Sequence, residues 1–287
     1  MAQLFKQMTI AGVGLIGGSI AMIARREGLA GRVVGLGRTQ ANLDVALERG
    51  MLDAATRDPA EAARGADLLM LAAPILTMRA TLERMLPYLP PHAVVTDVGS
   101  VKGWVVRELE PILAPGMAMV AAHPVAGKET VGAGAADAEL FRGRRVIITP
   151  SAKSTADALE RVEAIWRAAG ARVERMDPDL HDAILARASH LPQILASALG
   201  AALAEERVGG MLAAEFGASG LRDMTRLAGS SWEMWRDIFI TNRVAIIAAL
   251  HLFGSVVEEF QDLIEAGDIA ALEQLFNRGR TIRGKLK

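Results

Sequence analysis

The stretch MTIAGVGLIGGS (8–19) decides the fold expected for the amino-terminal half of the chain. Its glycines fit the pattern G-x-G-x-x-G, between an apolar strand-like run and a helical pattern. The first glycine permits a tight turn, the second lets the backbone approach a pyrophosphate, and the third lets the helix pack on the strand. The phosphates would then meet the positive N-terminus of the helix. The stretch therefore predicts a dinucleotide-binding loop. Its expected cofactor-binding residues are Gly12, Gly14, Leu15, Ile16 and Gly17.

Short apolar runs alternate with helical patterns through the rest of this half. The runs predict seven strands, at residues 7–13, 31–37, 66–74, 92–100, 117–124, 144–150 and 171–177. Strands that alternate with helices form a mostly parallel sheet covered on both faces. The expected fold class is therefore α/β, with a Rossmann-type doubly wound parallel sheet over residues 1–178.

The carboxyl-terminal part, residues 179–287, is expected to form an all-helical domain, because it has helical periodicity and no convincing strand. One of its helices is expected to break at Pro192. The segment 243–266 is apolar around much of its circumference, which predicts burial against another helix or another subunit. Its most apolar run, 244–257, is shorter than a membrane span and carries His251, so no membrane insertion is expected.

Composition limits the classes of function. The 287 residues carry a net charge of −1, which predicts no binding of nucleic acid or of an anionic membrane surface. The absence of cysteine excludes disulfides, thiolate metal sites and cysteine nucleophiles, and it fits a cytoplasmic protein. No cluster of metal ligands stands out, so no metal site is expected.

The end of the second predicted strand bears on the choice of cofactor. A site that prefers NAD usually places an acidic residue about 20 positions beyond the glycine motif, where it binds the ribose hydroxyls. Here the chain reads Gly37-Arg38-Thr39, without a carboxylate. Arg38 can pair with a 2′-phosphate, and Thr39 can donate a hydrogen bond to it. The sequence therefore favours NADP, while an Arg38 that is only a solvated loop residue would leave NAD possible.

Polar residues that could perform chemistry lie in four further stretches. These are TDVGSVKG (96–103), AAHPVAGKE (121–129), SHLPQ (189–193) and LRDMTRLAGSSWEMW (221–235). The first two follow predicted strands, where a parallel sheet presents its ligands. Each stretch also has an ordinary structural interpretation. A histidine at a strand end is usually a hydrogen-bonded structural residue, and Asp223 and Arg226 have the spacing of a surface ion pair on a helix.

Several motifs together resemble one known family in their order and spacing. They are GVGLIGGS, AAP at the end of the third strand, TDVGSVK, HPVAGKETVGA, SHLP and RDMTRLAGSSWEMWRDI. Through them nearly the whole chain resembles the prephenate/arogenate dehydrogenase (cyclohexadienyl dehydrogenase) family of tyrosine biosynthesis. The resemblance implies oxidative decarboxylation of prephenate or arogenate, with hydride transfer to NAD(P). It also implies a homodimer formed through the helical domain.

The resemblance implies roles for residues of the first half. His123 matches the family's catalytic histidine, which would accept a hydrogen bond from the 4-hydroxyl of the substrate ring while hydride leaves. Ser100 matches a serine near the nicotinamide and that hydroxyl. Ala73 and Pro74 would border the cofactor, and Glu129 matches an acid in the loop over the site.

The same resemblance extends to the helical half. Arg226 would bind a substrate carboxylate, Asp223 would position that arginine, and Trp235 would shape the pocket for the substrate's side chain. His190 would orient the helix break near the pocket. Many relatives that use prephenate have histidine where this chain has Gln193, so the choice between prephenate and arogenate stays open. The active site is expected in the cleft between the two domains.

Two other classes of function fit parts of the pattern. Another reductase of this architecture, such as a β-hydroxyacid dehydrogenase or a pyrroline-carboxylate reductase, would share the glycine loop. The hydroxyacid enzymes would use a lysine on a helix, and residues 179–266 contain no lysine. A non-catalytic regulator that senses NADP(H) would need the loop but not His123, Ser100 and Arg226 together.

Overall fold

The computed structural model describes residues 3–127 and 130–285, and its main feature is one sheet of eight strands. The strands are β1 (Phe5–Ala11), β2 (Ala30–Leu36), β3 (Ala54–Thr56), β4 (Leu68–Leu71), β5 (Val94–Asp97), β6 (Ala118–Pro124), β7 (Arg145–Thr149) and β8 (Arg172–Arg175). Their spatial order is β3-β2-β1-β4-β5-β6-β7-β8. Neighbours run parallel except β6 and β7, which are antiparallel. The expected α/β class with a mostly parallel sheet is confirmed.

Burial explains why the central strands are apolar runs without polar alternation. Every residue of β4 and of β5 is buried, as expected for parallel strands covered on both faces. All seven predicted strands are present, the first two shifted by one or two residues and the other five shorter than predicted, and β3 was missed. Its three residues, Ala-Ala-Thr, are too few to produce a period-two pattern.

Helices follow most of these strands. They are α1 (Leu15–Arg26), α2 (Gln40–Glu48), α3 (Pro59–Ala63), α4 (Ile75–Met85), α5 (Lys102–Leu109), α6 (Ala156–Ala168) and α7 (Pro178–Leu185). Each buries one apolar face; α1, for example, buries Ile20, Ile23 and Ala24 in the main core. Trp166 of α6 is fully buried and meets Phe141 edge to face, with ring centroids 5.3 Å apart.

By contacts the chain forms two compact units. The first comprises residues 1–185 together with 229–242, and it contains the eight-stranded sheet, α1 to α7, and α10 (Trp232–Thr241). The second comprises residues 186–228 and 243–287. A domain boundary at residue 178 stays a prediction.

The second unit consists mainly of helices. They are α8 (Leu191–Leu203), α9 (Ser219–Thr225), α11 (Arg243–Ala266) and α12 (Ile269–Lys285). The expectation of no strand was wrong in detail, since β9 (Arg207–Val208) and β10 (Met211–Leu212) form an antiparallel ribbon. The tight turn between them is made by Gly209 and Gly210, both with positive φ.

The expected helix break at Pro192 was also wrong. The chain stays helical from 178 to 203, and the irregularity is a π turn at Ala186–His190, just before Pro192. Proline has no N–H and interrupts the hydrogen-bond ladder of a continuous helix, and the π turn directly before Pro192 is such an irregularity.

Helix α11 is longer than its apolar run suggested. It has 24 residues and, within the described part of the chain, is the one helix long and apolar enough to cross a membrane by length and composition. The sequence interpretation of this segment as too short was therefore wrong. Only Ile246 and Ala249 of α11 are buried within this chain, whereas Val244, Leu252 and Ile264 are exposed. The helix thus presents a large apolar surface.

Candidate active site and dinucleotide cavity

The glycine loop joins β1 to α1, and each of its three glycines has a different environment. Gly12 has φ +106°, and a Cβ there would lie 2.4 Å from the carbonyl oxygen of Ala72. A Cβ on Gly17 would lie 2.1 Å from the carbonyl oxygen of Gly12. A Cβ on Gly14 would meet nothing within 4 Å. Two glycines are therefore required by packing, and the third leaves open space at the start of α1.

Asn42 of α2 braces this loop. Its side-chain nitrogen donates to the carbonyl oxygen of Val13 (2.7 Å), and its side-chain oxygen accepts from the amide of Ala133 (2.9 Å). The glycine loop is thereby tied to the segment that precedes β7. Sequence reasoning missed this residue, because a polar residue early in a helix carries no distinctive pattern.

A cavity of about 740 Å³ opens in front of the glycine loop. Of the residues predicted to bind the cofactor, six line it: Gly12, Gly14, Arg38, Thr39, Ala73 and Pro74. Leu15 and Ile16 instead pack against the core, and Gly17 packs beneath the turn. The strand order reverses between β1 and β4, and ligands of open α/β sheets bind at such a reversal.

Three arginines, Arg38, Arg57 and Arg84, line this cavity. All three are exposed, and none makes an ion pair with a described residue. Among the described residues that line the cavity there is no aspartate or glutamate. The open space at Gly14 and this excess of positive charge fit a dinucleotide with its phosphates. Arg57 and Arg84 were missed from the sequence.

Gly37, at the end of β2, packs closely on α2. A Cβ on Gly37 would lie 2.6 Å from Cδ2 of Leu43, a fully buried side chain of α2. An aspartate at this position would require the Leu43 side chain to shift, so glycine fits the packing of α2 on β2.

His123 and Ser100 lie at the carboxyl ends of adjacent parallel strands. His123 is the penultimate residue of β6 and is 8% exposed. Ser100 follows β5 in the short connection to α5 and is half-buried. Because β5 and β6 are parallel neighbours, both residues stand at the same edge of the sheet.

A chain of hydrogen bonds leads inward from His123. Its Nδ1 lies 2.8 Å from Nε2 of His181, and Nδ1 of His181 lies 2.8 Å from Oδ1 of Asp182. Oδ1 and Oδ2 of Asp182 accept from the backbone amides of Lys102 (2.7 Å) and Gly103 (2.8 Å). His181 is completely buried, and this burial lowers the pKa of its imidazole. Neither His181 nor Asp182 was predicted from the sequence.

A buried ion pair lies beside this chain. The ammonium group of Lys102 pairs with Asp97 and donates to the carbonyl oxygen of Ala122 (2.8 Å), next to His123. Asp97 also accepts from the amides of Gly99 (2.7 Å) and Ala122 (3.2 Å). Burial lowers the pKa of Lys102, and the charge of Asp97 opposes this effect. Lys102 thus ties the connection after β5 to the end of β6.

Four predicted residues belong to the second unit. His190 and Gln193 are buried, and the side-chain amide of Gln193 donates to the carbonyl oxygen of Leu227 (2.8 Å) and to Ser197 Oγ (3.3 Å). Asp223 and Arg226 are both exposed, and no ion pair joins these two described residues. Gln193 therefore supports the turn that carries Arg226.

Of the remaining two predicted residues, the structure describes one. Trp235, in α10 of the first unit, is 9% exposed, and its ring centroid lies 5.7 Å from that of Phe239. Glu129 lies outside the described residues.

Two family models match the chain. One, described as prephenate dehydrogenase, nucleotide-binding domain, matches residues 20–175, and the other, described as prephenate dehydrogenase, dimerization domain, matches residues 177–278. The cyclohexadienyl dehydrogenase of Zymomonas mobilis is 32% identical over 284 residues, which cover 99% of this chain and 97% of that protein. The two family models together, and this relative by itself, span nearly the whole chain.

Solved structures give the same result. A prephenate dehydrogenase from A. aeolicus, in complex with hydroxyphenyl propionate and NAD+, has a TM-score of 0.92 and 32% identity, covering 100% of this chain and 99% of that one. The Synechocystis arogenate dehydrogenase has a TM-score of 0.85 and 28% identity, covering 98% and 100%. A 3-hydroxyisobutyrate dehydrogenase from Salmonella typhimurium, at 18% identity and a TM-score of 0.59, shares the fold alone.

Proposed function

The chain belongs to the prephenate dehydrogenase family, and on this premise we propose that it catalyses the oxidative decarboxylation of prephenate or arogenate in tyrosine biosynthesis. The nicotinamide, when bound, accepts the hydride that leaves C4 of the cyclohexadienyl ring. Carbon dioxide leaves C1 as the ring becomes aromatic, giving 4-hydroxyphenylpyruvate from prephenate or tyrosine from arogenate. Aromatisation drives the reaction, so the chain's own residues need to orient the ring and polarise its 4-hydroxyl.

The position of His123 carries this proposal. The residue stands at the carboxyl edge of the sheet, in the same unit as the dinucleotide cavity and beside the strand that leads to Ser100. As a neutral imidazole it accepts the hydrogen bond of the ring hydroxyl, takes its proton as hydride departs, and returns the proton to the phenolate oxygen once carbon dioxide has left. Ser100 donates or accepts a hydrogen bond at the same hydroxyl and helps to hold the ring.

The helical residues bind the rest of the substrate. Arg226 holds a carboxylate, for which a planar guanidinium suits the two oxygens. Trp235 shapes the pocket for the side chain. Gln193 holds the Arg226 segment through Leu227, and His190 is the last residue of the π turn before α8. π turns inside helices frequently mark functional sites.

NADP is the cofactor that the cavity favours. The 2′-phosphate adds negative charge, and Arg38, Arg57 and Arg84 supply positive charge that no described carboxylate in the lining offsets. Thr39 donates a hydrogen bond to the same group. NAD remains the alternative, since a solved relative at 32% identity carries NAD+.

The apolar surface of α11 supports a homodimer. Its exposed side chains belong to the segment that matches the dimerization-domain model. With this surface buried in a second copy, we expect α11 to stay outside the membrane, in a cytoplasmic protein. Light scattering at micromolar concentration tests the assembly, and a monomer there contradicts it.

Steady-state reduction of the nicotinamide, measured for the purified protein, tests the activity. Prephenate and arogenate are each paired with NAD and with NADP, and the best pair identifies both substrate and cofactor. The variant His123→Asn tests the role of this residue: it should lower kcat by about 10²-fold or more while cofactor binding is kept. No reduction in any pairing, with NADP still bound, overturns the proposal.

A further inference from the structure

A second histidine, His181, links His123 to the buried carboxylate of Asp182. The order is His123 Nδ1 to His181 Nε2 (2.8 Å), then His181 Nδ1 to Asp182 Oδ1 (2.8 Å). All three side chains are less than 9% exposed. The rings of the two histidines meet edge to face, with centroids 5.0 Å apart and planes at 70°. The linkage is therefore shielded from water and held in one geometry.

The backbone sets the direction of donation along this chain. Asp182 receives the amides of Lys102 (2.7 Å) and Gly103 (2.8 Å), one on each carboxylate oxygen. An ionised carboxylate only accepts, so Nδ1 of His181 carries the hydrogen that points at Asp182. Burial keeps His181 neutral, so its Nε2 has a lone pair. The hydrogen between the two histidines therefore belongs to Nδ1 of His123.

We infer that His181, anchored by Asp182, is a positioning residue that holds His123 as the Nδ1–H tautomer, with the lone pair on Nε2. This inference rests on the proposed role of His123. The ring nitrogen that accepts the substrate's hydroxyl proton is then fixed before the substrate binds. When Nε2 takes that proton, the hydrogen bond from Nδ1 to His181 becomes charge-assisted and stabilises the imidazolium.

Further contacts hold the anchor in place. The side-chain nitrogen of Asn242 donates to the carbonyl oxygen of Asp182 (3.0 Å), and Asn242 is itself 5% exposed. The two amides that bind the carboxylate open helix α5, where the positive end of the helix favours a negative charge. Asp182 is thus held from both its backbone and its side chain.

The first experiment reads the tautomer directly. Protein labelled with ¹⁵N in the histidine rings is examined by long-range ¹H–¹⁵N correlation near neutral pH, without cofactor or substrate. The chain has five histidines, and His123→Asn and His181→Gln assign the two signals of interest. We expect protonated Nδ1 and unprotonated Nε2 for both rings. A protonated Nε2 on His123, or a doubly protonated His181, overturns the inference.

The second experiment separates positioning from packing. His181→Leu removes the acceptor for His123, and we expect kcat to fall about 10- to 100-fold, with the substrate KM changed less than about threefold. His181→Gln keeps an acceptor oxygen near the former Nε2 and should regain part of that loss. The exposed His92, changed to glutamine, is the matched control and should leave kcat unchanged.

The outcomes distinguish this inference from the proposed function. If the wild-type protein reduces no nicotinamide with either substrate, the proposed function is wrong. The tautomer measurement does not require activity, so it tests the positioning of His123 independently. Equal kcat in the wild type and in folded His181→Leu overturns the inference. If the leucine variant does not fold, the NMR signals decide: a His123 ring with protonated Nδ1 and unprotonated Nε2 in the wild type supports the inference, and any other tautomer of His123 overturns it.

Discussion

Gly14 and Gly12 lie two residues apart in one turn, and alanine at each should have opposite consequences. Gly14 has φ −102° and ψ −153°, an extended conformation open to alanine, and its Cβ would meet nothing within 4 Å. Alanine there lowers the entropy of the unfolded chain but is a poorer helix cap, so the free energy of unfolding should change by less than about 1 kcal/mol. The new methyl group, however, occupies the space through which a pyrophosphate approaches.

The effect of Gly14→Ala on cofactor binding follows from that overlap. Forcing one extra methyl into a close contact costs about 1–3 kcal/mol, which corresponds to a loss of about 5- to 150-fold in affinity. Gly12→Ala combines strain at φ +106° with a Cβ 2.4 Å from the Ala72 oxygen, so it should lower the free energy of unfolding by about 2–6 kcal/mol.

Thermal unfolding and calorimetric titration with NADP check both variants. We expect Gly14→Ala to melt like the wild type and bind weakly, and Gly12→Ala to melt at a lower temperature. Wild-type affinity in Gly14→Ala would mean that the pyrophosphate does not approach this turn. An unchanged melting temperature in Gly12→Ala would refute the packing argument.

Two further predictions concern the cavity arginines and His181. Arg57→Gln and Arg84→Gln should each weaken NADP binding about 10- to 100-fold and NAD binding less than about threefold, as measured by titration; equal losses for both cofactors would contradict a 2′-phosphate contact. Burial depresses the pKa of His181 below its ordinary 6.5, so between the two values the unfolded chain binds more protons than the folded one. The contribution of His181 to the free energy of unfolding, measured in urea, should therefore be fully present above pH 6.5 and fall on acidification below that pH, and His181→Gln should flatten this fall. Parallel curves for the two proteins would show that another group is responsible.

The sequence predicted the sheet well where local pattern and tertiary role agree. Buried parallel strands must be apolar throughout, so β4 and β5 were visible as continuous runs. The ribbon of β9 and β10 was not predicted, because each strand has only two residues and little burial. The π turn at Ala186–His190 was not predicted, because a helix with one widened turn keeps an ordinary helical composition.

Within the candidate site, the residues that were missed lie far from any motif. Arg57 follows β3, and Arg84 lies in α4. Only the folded chain places them with Arg38 in one cavity. His181 is 58 positions from His123, and the pair Leu180-His181 has no special pattern. The glycine motif could be found because its function depends on spacing along the chain, whereas the arginines and His181 depend on tertiary proximity.

Asn42 has a consequence for the speed of cofactor binding. By joining the glycine loop to the segment at Ala133, it fixes two parts of the cavity wall to each other without any ligand. Association that requires no ordering of a loop loses little conformational entropy at the encounter. It also avoids the slow rearrangement that lowers association rates in proteins that must close over their ligand. We therefore expect fast association of the cofactor, so that differences in affinity among variants of the cavity arise mainly from the dissociation rate.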